Sequence, residues 1–232
     1  MSKNIEYNGI TIGEIVAADF RAAGIFKKAG IDFCCGGKKS LDDACNEKSI
    51  DPTLLVNQLK DFENIPVSQT QSFNDWELSF LIDYIVNIHH KFVVKSLPEL
   101  SFYTRKIASV HGLHHPELIE IAELFEKIKV ELLQHLHKEE ELLFPSIKAV
   151  SMNNSDDARL FIISETNRMR EEHEFAGGAM DKINEITSNY LVPEDGCNSY
   201  KVTFQLLHQF EDDLHIHVHL ENNILYPKAL AL

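Results

Sequence analysis

The segments HLHKEEELLFP, residues 135–145, and HVHLENNILYP, residues 217–227, repeat one arrangement of histidine and glutamate. Each begins with histidine, has glutamate four positions later, and ends in leucine, an aromatic residue and proline. In a helix, side chains four residues apart lie on one face, one turn from each other. An imidazole and a carboxylate with this spacing can therefore bind the same metal ion or two adjacent ions.

Each segment is preceded by a further histidine at a matching distance. His90 lies 45 residues before His135, and His173 lies 44 residues before His217. We interpret the chain as a duplicated helical hairpin, in which each copy supplies one histidine followed by the pair HxxxE. Two copies related by a pseudo-two-fold axis would bring four imidazoles and two carboxylates together: His90, His135, Glu139, His173, His217 and Glu221.

Hydrophobic periodicity places most of these groups in a helix core. Residues recur at alternating steps of three and four, the spacing of a core-facing stripe. The stripes are Leu118, Ile121, Phe125, Ile128, Leu132, His135, Glu139 and Leu142; Ile162, Thr166, Met169, His173, Ala176, Met180 and Ile183; and Leu207, Phe210, Leu214, His217, Glu221 and Ile224. Because buried imidazoles and carboxylates are costly without partners, the set indicates two bound metal ions. Ligands without thiolate suit iron or manganese, and we expect iron.

The other histidines are interpreted differently. Periodicity leaves the first ligand open, because His89 shares a stripe with Ile85 and Phe92 whereas His90 shares another with Leu97. Six more are assigned to the solvated helix faces or to a loop between helices: His111, His114, His115, His137, His215 and His219.

Four long amphipathic segments must position the ligands. They cover roughly residues 77–110, 116–149, 157–190 and 199–230, with turn signals between them. Long helices with short connections predict an antiparallel four-helix bundle.

The first part of the chain has a different pattern. Its helix signals are short and closely spaced: Thr11 with Glu14 as a capping box, Gly30 ending a helix begun near Asp19, Ser40 with Asp43, and Asp51-Pro52. Residues 64–74, NIPVSQTQSFN, are polar and aperiodic and predict a linker. We therefore predict an all-α chain with a small helical domain at 1–63, a linker at 64–74 and the bundle at 75–232.

The small domain carries two adjacent cysteines, Cys34 and Cys35. A disulfide between them would close a strained eight-membered ring, so free thiols are expected. The following Gly36-Gly37 is expected to permit positive φ at an exposed turn. Lys38-Lys39 is expected to favour the thiolate form. The alternative is that the pair is buried and apolar, beside a flexible turn.

Composition restricts the function classes. The formal net charge of −14 over 232 residues argues against nucleic-acid and anionic membrane partners. The start, MSKNIEYNGI, lacks the apolar region of a signal peptide, and no stretch approaches the roughly 18 continuous apolar residues of a membrane span. We therefore expect a cytoplasmic location, where thiols stay reduced. The isolated Cys45 and Cys197 are interpreted as small core residues.

Residues 75–232 resemble the hemerythrin-like bundle, and with DFCCGGKKSL at 32–41 the whole chain resembles the repair of iron centres family of di-iron proteins. The resemblance implies the six ligands named above, with Glu139 and Glu221 bridging two iron ions. Counting back from LPEL at 97–100 selects His90 as the first ligand. At position 89, where this chain has His89, relatives tend to have an aromatic residue.

The resemblance also implies a function. It is that of a bacterial stress protein that restores iron-sulfur clusters damaged by nitric oxide or oxidants, with the di-iron site as a labile iron source and damaged iron-sulfur proteins as clients. Cys34 and Cys35 are then expected to relay iron or nitric oxide. Two alternatives are an enzyme that reduces nitric oxide at the di-iron centre and a hemerythrin-like sensor of oxygen or nitric oxide. The sequence identifies no catalytic residue and leaves a homodimer open.

Overall fold

The computed structural model describes Tyr7 and residues 9–63, 72–153 and 156–232. These residues form eight helices and no strand, which confirms the all-α class. They divide into two compact units: unit 1 is Met1–Leu81 with Val218–Ala231, and unit 2 is Ile82–His217 with Leu232. Within the described residues, every helix is too short or too polar to cross a membrane.

Unit 1 contains four short helices at the positions that the capping signals indicate. They are α1 (Ile12–Ala18), α2 (Ala22–Lys28), α3 (Leu41–Lys48) and α4 (Pro52–Glu63). The capping box of α1 is present, with the Glu14 amide donating to Thr11 Oγ1 at 3.2 Å and the Thr11 amide donating to Glu14 Oε2 at 2.9 Å. Ser40 caps α3 in the same way through the amide of Asp43, at 3.1 Å.

The end of α2 explains the turn that leads into the cysteine segment. Gly30 has φ +65°, and the next amide, that of Ile31, donates to the carbonyl of Phe26 at 2.9 Å. This is a Schellman-type ending, which needs a left-handed residue and is served best by glycine. Ile31 and Phe26 are buried, so the chain turns back into the core of unit 1.

The predicted linker is described from residue 72 onward. Residues 64–71 lie outside the described residues. Phe73–Asp75 forms one turn of 3-10 helix, and Lys228 donates to the carbonyls of Asn74 and Trp76 at 2.8 and 2.7 Å. The domain limits 1–63, 64–74 and 75–232 stay a prediction.

Four long helices follow, and three of them contain a π-helical segment. The helices are α5 (Leu78–Tyr84, π-helical Ile85–His90, Lys91–His111), α6 (Glu117–Lys138, π-helical Glu139–Leu143, Phe144–Asn153), α7 (Asp156–Ile186) and α8 (Asn198–His219, π-helical Leu220–Leu225, Tyr226–Leu230). Their limits agree closely with the four predicted amphipathic segments. By its contacts, α8 belongs to unit 2 as far as His217 and to unit 1 from Val218.

Neighbouring helices of unit 2 run antiparallel. In contacting pairs, residue numbers rise along one helix as they fall along the other. Between α5 and α6 the pairs are His90 with Glu140 and Ser101 with Glu126. Along α8, His89 contacts Asp213, and His111 contacts Cys197, the residue before the helix. Unit 2 is therefore an antiparallel four-helix bundle, as the short connections predict.

The predicted core stripes are buried with one exception. Leu142 is 50% exposed, whereas the next residue, Leu143, is 1% exposed. The cause is the π-helical segment that begins at Glu139, because i to i+5 hydrogen bonding adds one residue to the turn. The inward stripe therefore moves from Leu142 to Leu143, a shift that an α-helical repeat cannot predict.

A fragment of residues 75–232 is expected to fold alone into a soluble, cooperatively melting helical protein, because the four long helices bury a core of their own. Its melting temperature should lie below that of the full chain, since the removed residues include partners of 218–231 within unit 1. Circular dichroism with thermal melts of both proteins measures this. An insoluble or non-cooperative fragment would contradict the predicted domain limits.

Candidate metal centre

The π-helical segments coincide with the predicted ligands. His90 ends the segment of α5, Glu139 begins that of α6, and Glu221 lies in that of α8. Such segments are uncommon and frequently occur at functional sites, because the extra residue redirects side chains. In α5 both His89 and His90 are buried. In a regular α-helix with one narrow buried stripe, only one of two adjacent residues would face the core.

Glu139 lies at the centre of the group in unit 2. Its side chain is completely buried, and its Oε2 atom is 3.4 Å from Nε2 of His90 and 3.4 Å from Nε2 of His135. One carboxylate oxygen thus lies between imidazoles from two helices. This placement suits a carboxylate shared between two metal ions.

Two further histidines complete the cluster within unit 2. His173 Nε2 is 2.9 Å from His135 Nε2, and one ligand atom from each of His135, Glu139 and His173 lies within 4.8 Å of those of the other two. The same limit holds for His90, Glu139 and His217. The structure therefore brings five predicted ligands together as two groups that share Glu139.

The sixth predicted ligand, Glu221, is completely buried. It follows His217 by one turn on the continuous helix α8, as Glu139 follows His135 on α6. The two copies of the HxxxE pair thus have the same local geometry.

Outer carboxylates orient two of the imidazoles. Nδ1 of His90 is 2.8 Å from Glu140 Oε1, and Nδ1 of His135 is 2.9 Å from Glu172 Oε2. Burial raises the pKa of Glu172, but hydrogen bonds from His135 and Lys138 outweigh it and lower the pKa to about 2. A carboxylate that accepts from Nδ1 fixes the ring and leaves Nε2 as the metal-binding nitrogen.

These outer carboxylates were not predicted from the sequence. Glu140 directly follows the ligand candidate Glu139, and Glu172 directly precedes His173. A search for carboxylates adjacent to predicted ligands would have named both, because metal-binding histidines commonly donate their second nitrogen to such a group.

His89 lies beside the cluster and is not grouped with it. Its Nδ1 atom is 2.9 Å from Asp213 Oδ1, and its ring stacks on that of His217 with centroids 5.7 Å apart. Among the described residues it belongs to none of the groups whose ligand atoms converge. The geometry therefore favours His90 as the ligand and leaves His89 as a buried neighbour.

One histidine was wrongly assigned to the solvated face. His137 is exposed and His215 is half-buried, but His219 is completely buried between Phe20 and Phe33, with ring centroids 6.0 and 5.7 Å away. Burial lowers the pKa of His219 to about 4, so the ring is neutral at pH 7.

The two hairpin copies differ at the positions that explain this burial. Around His137 the first copy has Lys138, Glu140 and Glu141, whereas the second copy has Leu220, Asn222 and Asn223 around His219. Replacement of three charged residues by neutral ones indicates a covered face. That difference was available in the sequence.

The segment Asp32–Gly37, here called the thiol loop, is built around Asp32. The carboxylate of Asp32 accepts from the amides of Cys34, Cys35 and Gly36 at 2.8, 3.1 and 2.7 Å. Cys34 is buried and Cys35 is half-buried, so the expected exposed turn is only partly observed.

The expected thiolate at Cys34 is contradicted. The neighbouring Cys35 thiol, burial and the Asp32 carboxylate all raise the pKa of Cys34 well above its usual range. Lys39 instead pairs with Glu47 at 2.6 Å. The charge that acts on Cys34 is thus the carboxylate two residues earlier, while the lysines that follow in sequence are exposed.

Asn223 holds the base of the thiol loop within unit 1. Its Nδ2 atom donates to the carbonyls of Phe33 and Cys34 at 3.1 and 3.3 Å. A Cβ atom at Gly37 would lie 2.8 Å from Asn223 Oδ1, and one at Gly13 would lie 2.4 Å from it. Gly37 and Gly13 therefore allow the close approach of the Asn223 side chain. The positive φ expected at Gly36-Gly37 is absent.

The two isolated cysteines have different environments. Cys45 is completely buried, as predicted, but Cys197 is exposed, so its assignment to the core was wrong. Its Sγ atom is 3.1 Å from His111 Nε2. Hydrogen bonds from His111 and from the Tyr200 and Ser199 amides at the start of α8 lower its pKa to about 7.

Glu139→Gln is expected to lower metal retention sharply, because an amide cannot supply a second anionic oxygen to a shared position. Glu141→Gln is the matched control, since Glu141 is exposed on the same helix two residues later. The metal content of the two proteins after gel filtration is measured by inductively coupled plasma mass spectrometry. Equal retention would show that Glu139 is not a ligand.

Cys197 is expected to be alkylated first by iodoacetamide at pH 7. At a pKa of about 7, about half of this thiol is thiolate at pH 7, against about 3% for an ordinary thiol. Its rate should fall as pH drops below 7, whereas Cys34 should react only at higher pH. Peptide mass spectrometry across pH measures both rates, with His111→Ala expected to slow Cys197. Faster alkylation of Cys34 would contradict the assignment.

Two segments of the chain match known protein families. Residues 9–63 match a family described as a domain of unknown function (DUF542), and residues 81–229 match the hemerythrin HHE cation binding domain. The second match covers more than half of the chain.

Similar proteins extend over nearly the full length. The iron-sulfur cluster repair protein ScdA of Staphylococcus epidermidis is 34% identical over 219 residues, covering 94% of this chain and 96% of that protein. The iron-sulfur cluster repair protein YtfE of Yersinia pestis is 33% identical over 229 residues, covering 97% and 99%, and the protein of that name in Yersinia pseudotuberculosis gives the same values. The chain therefore belongs to the family of iron-sulfur cluster repair proteins, with a DUF542 domain followed by a hemerythrin HHE cation-binding domain.

Proposed function

We propose that this protein repairs iron-sulfur clusters damaged by nitric oxide or oxidants, and that it does so by supplying iron from a pair of iron ions in the bundle. The observation that carries the proposal is the buried cluster of imidazoles around Glu139 in unit 2. The names of the relatives support the repair function.

The proposed ligands are the six residues of the duplicated hairpin: His90, His135, Glu139, His173, His217 and Glu221. Glu139 and Glu221 are assigned as bridges. For Glu139, the support is an oxygen atom 3.4 Å from imidazole nitrogens of two different helices. For Glu221, the support is its burial and its position one turn after His217, which repeats the relation of Glu139 to His135.

The residues present fit an iron pair. Imidazole and carboxylate donors suit iron, and four imidazoles with two carboxylates provide enough ligands for two ions that share the carboxylates. Burial of every proposed ligand excludes bulk water from the donor atoms. Glu140 and Glu172 hold Nδ1 of His90 and His135, so that Nε2 of each ring points at the centre.

The donor set also fits a source from which iron can leave. When bound, the iron pair supplies exchangeable iron. The proposed site contains only nitrogen and oxygen donors, whereas a damaged iron-sulfur protein offers cysteine thiolates, which are softer ligands. Transfer toward the client is therefore favoured by ligand chemistry.

The thiol loop is proposed as the relay. The bundle ligands are buried and cannot touch a client protein, but Cys35 is half-buried and Asp32 is exposed. Cys34 and Cys35 can bind iron as thiolates, with loss of their protons to solvent, and can present the iron, or nitric oxide carried on it, to a client.

Reactivation of a dehydratase whose cluster has been damaged by nitric oxide tests the proposal. Wild type should restore activity, Glu139→Gln should not, and the Glu141→Gln control should. The double variant Cys34→Ser with Cys35→Ser should keep its bound metal and lose most reactivation, because relay and storage involve different residues.

Two results would contradict the proposal. Full reactivation by the double variant would remove the cysteines from the mechanism. Rapid turnover of nitric oxide by the wild type, measured with an electrode, together with no reactivation of the dehydratase would replace repair by nitric oxide reduction.

A further inference from the structure

Three side chains of metal-binding type converge in the thiol loop. Cys34 Sγ is 3.0 Å from Asp32 Oδ1 and 4.0 Å from Cys35 Sγ. A ligand atom of each residue lies within 4.8 Å of those of the other two. The two thiols were predicted from the sequence, but the carboxylate that contacts them was not.

We propose that Asp32, Cys34 and Cys35 together form a binding site for one thiophilic divalent cation. The inference deepens the proposed function and rests on it in one respect, since iron(II) on its way to a client would be the natural occupant. Binding of a cation at the loop can nevertheless be measured without a client and without the bundle centre.

The spacing of the donor atoms fits one shared ion. Two thiolates on one tetrahedral ion, at metal–sulfur distances of about 2.3 Å, lie roughly 3.8 Å apart. The observed separation of the Cys34 and Cys35 sulfurs is 4.0 Å. The carboxylate oxygen is closer to Cys34 Sγ, at hydrogen-bond distance, and would move outward by about 0.5 Å to share the ion. Asp32 is exposed, which leaves its oxygen atoms room for this movement.

The electrostatics of the loop favour a cation. The Cys35 thiol and the Asp32 carboxylate both raise the pKa of Cys34, because a thiolate at Cys34 would place a further negative charge beside them. A divalent ion supplies the positive charge that offsets this repulsion, so that both thiols can lose their protons to solvent. The metal–sulfur bonds replace the sulfur–hydrogen bonds, and no electron is transferred.

The number of ligands indicates exchange and not permanent storage. Three protein ligands leave one position of a tetrahedral ion open, whereas structural sites usually have four protein ligands. Asp32 and the half-buried Cys35 lie on the accessible side, while Cys34 is buried. A cation held in this way can be approached by a further thiolate from another protein.

The loop is held in a defined shape before any ion binds. Three backbone amides donate to Asp32, and Asn223 donates to the carbonyls of Phe33 and Cys34. Preorganisation of this kind reduces the conformational entropy lost on binding.

Titration of the full-length protein with cobalt(II) tests the proposal. Thiolate bound to cobalt(II) gives a near-ultraviolet charge-transfer band, which imidazole and carboxylate ligands do not produce. The titration is made in the Cys197→Ser background, because Cys197 with His111 could also bind cobalt. One equivalent of loop-bound cobalt is expected to saturate the band.

Further variants in this background separate the three ligands. Cys34→Ser with Cys35→Ser should abolish the band, and Cys35→Ser alone should reduce it while leaving the contacts of Asp32 intact. Asp32→Asn should weaken binding by about tenfold or more, a loss that even outer metal-site partners cause. Asp42→Asn is the matched control, because Asp42 is exposed in the same unit, and it should bind as the parent does.

A band that persists without Cys34 and Cys35, or equal affinities for Asp32→Asn and Asp42→Asn, would overturn the three-ligand site. Circular dichroism of Asp32→Asn verifies that its loss of affinity is not a loss of folding. The reactivation assay distinguishes the loop cation site from the repair function. If the protein reactivates the dehydratase but its loop binds no cobalt, only the loop site is contradicted. If the loop binds cobalt but the protein reactivates nothing, the loop site is supported and the repair function is contradicted.

Discussion

The burial of a carboxylate among imidazoles is the constraint on which the bundle depends. Glu139 has no exposed surface, and its Oε2 atom lies 3.4 Å from two imidazole nitrogens, in a core made mainly of aliphatic and aromatic side chains. Such a group is costly unless its charge is compensated. The antiparallel packing of the long helices, the π-helical segments and the outer carboxylates all act to place partners around it.

Much of this arrangement could be predicted from the sequence because the chain contains it twice. The repeated HxxxE pairs and the matching offsets to His90 and His173 identify the inward groups, and the apolar stripes give the four long helices. Periodicity failed where the helix departs from 3.6 residues per turn. Leu142 is the clear case, because hydrogen bonding in a π-helical segment cannot be inferred from a hydrophobic stripe.

The errors in unit 1 have a different cause. Charges adjacent in sequence suggested that the lysines following Cys35 would favour thiolate, but the loop folds Asp32 back onto both cysteines. Likewise His219 is off the stripe of α8 and yet buried, because the opposite face of that helix segment is covered by aromatic residues of unit 1. The first outcome depends on the folding of the loop around Asp32, and the second depends on contacts between residues distant in the chain. Neither the order of charges along the chain nor helical periodicity contains them.

The π-helical segments also bear on how such a chain changes over generations. Each holds one residue more than an α-helical turn, so loss of a single residue there would restore a regular α-helix and leave the flanking helix in register. Loss of a residue elsewhere in a long helix turns all later side chains by about 100° and disrupts the core. Deletion of one codon within Glu139–Leu143 could thus displace the proposed ligand Glu139 from a bundle that still folds. A deletion in one of these segments can therefore keep the helical bundle and remove the proposed metal site.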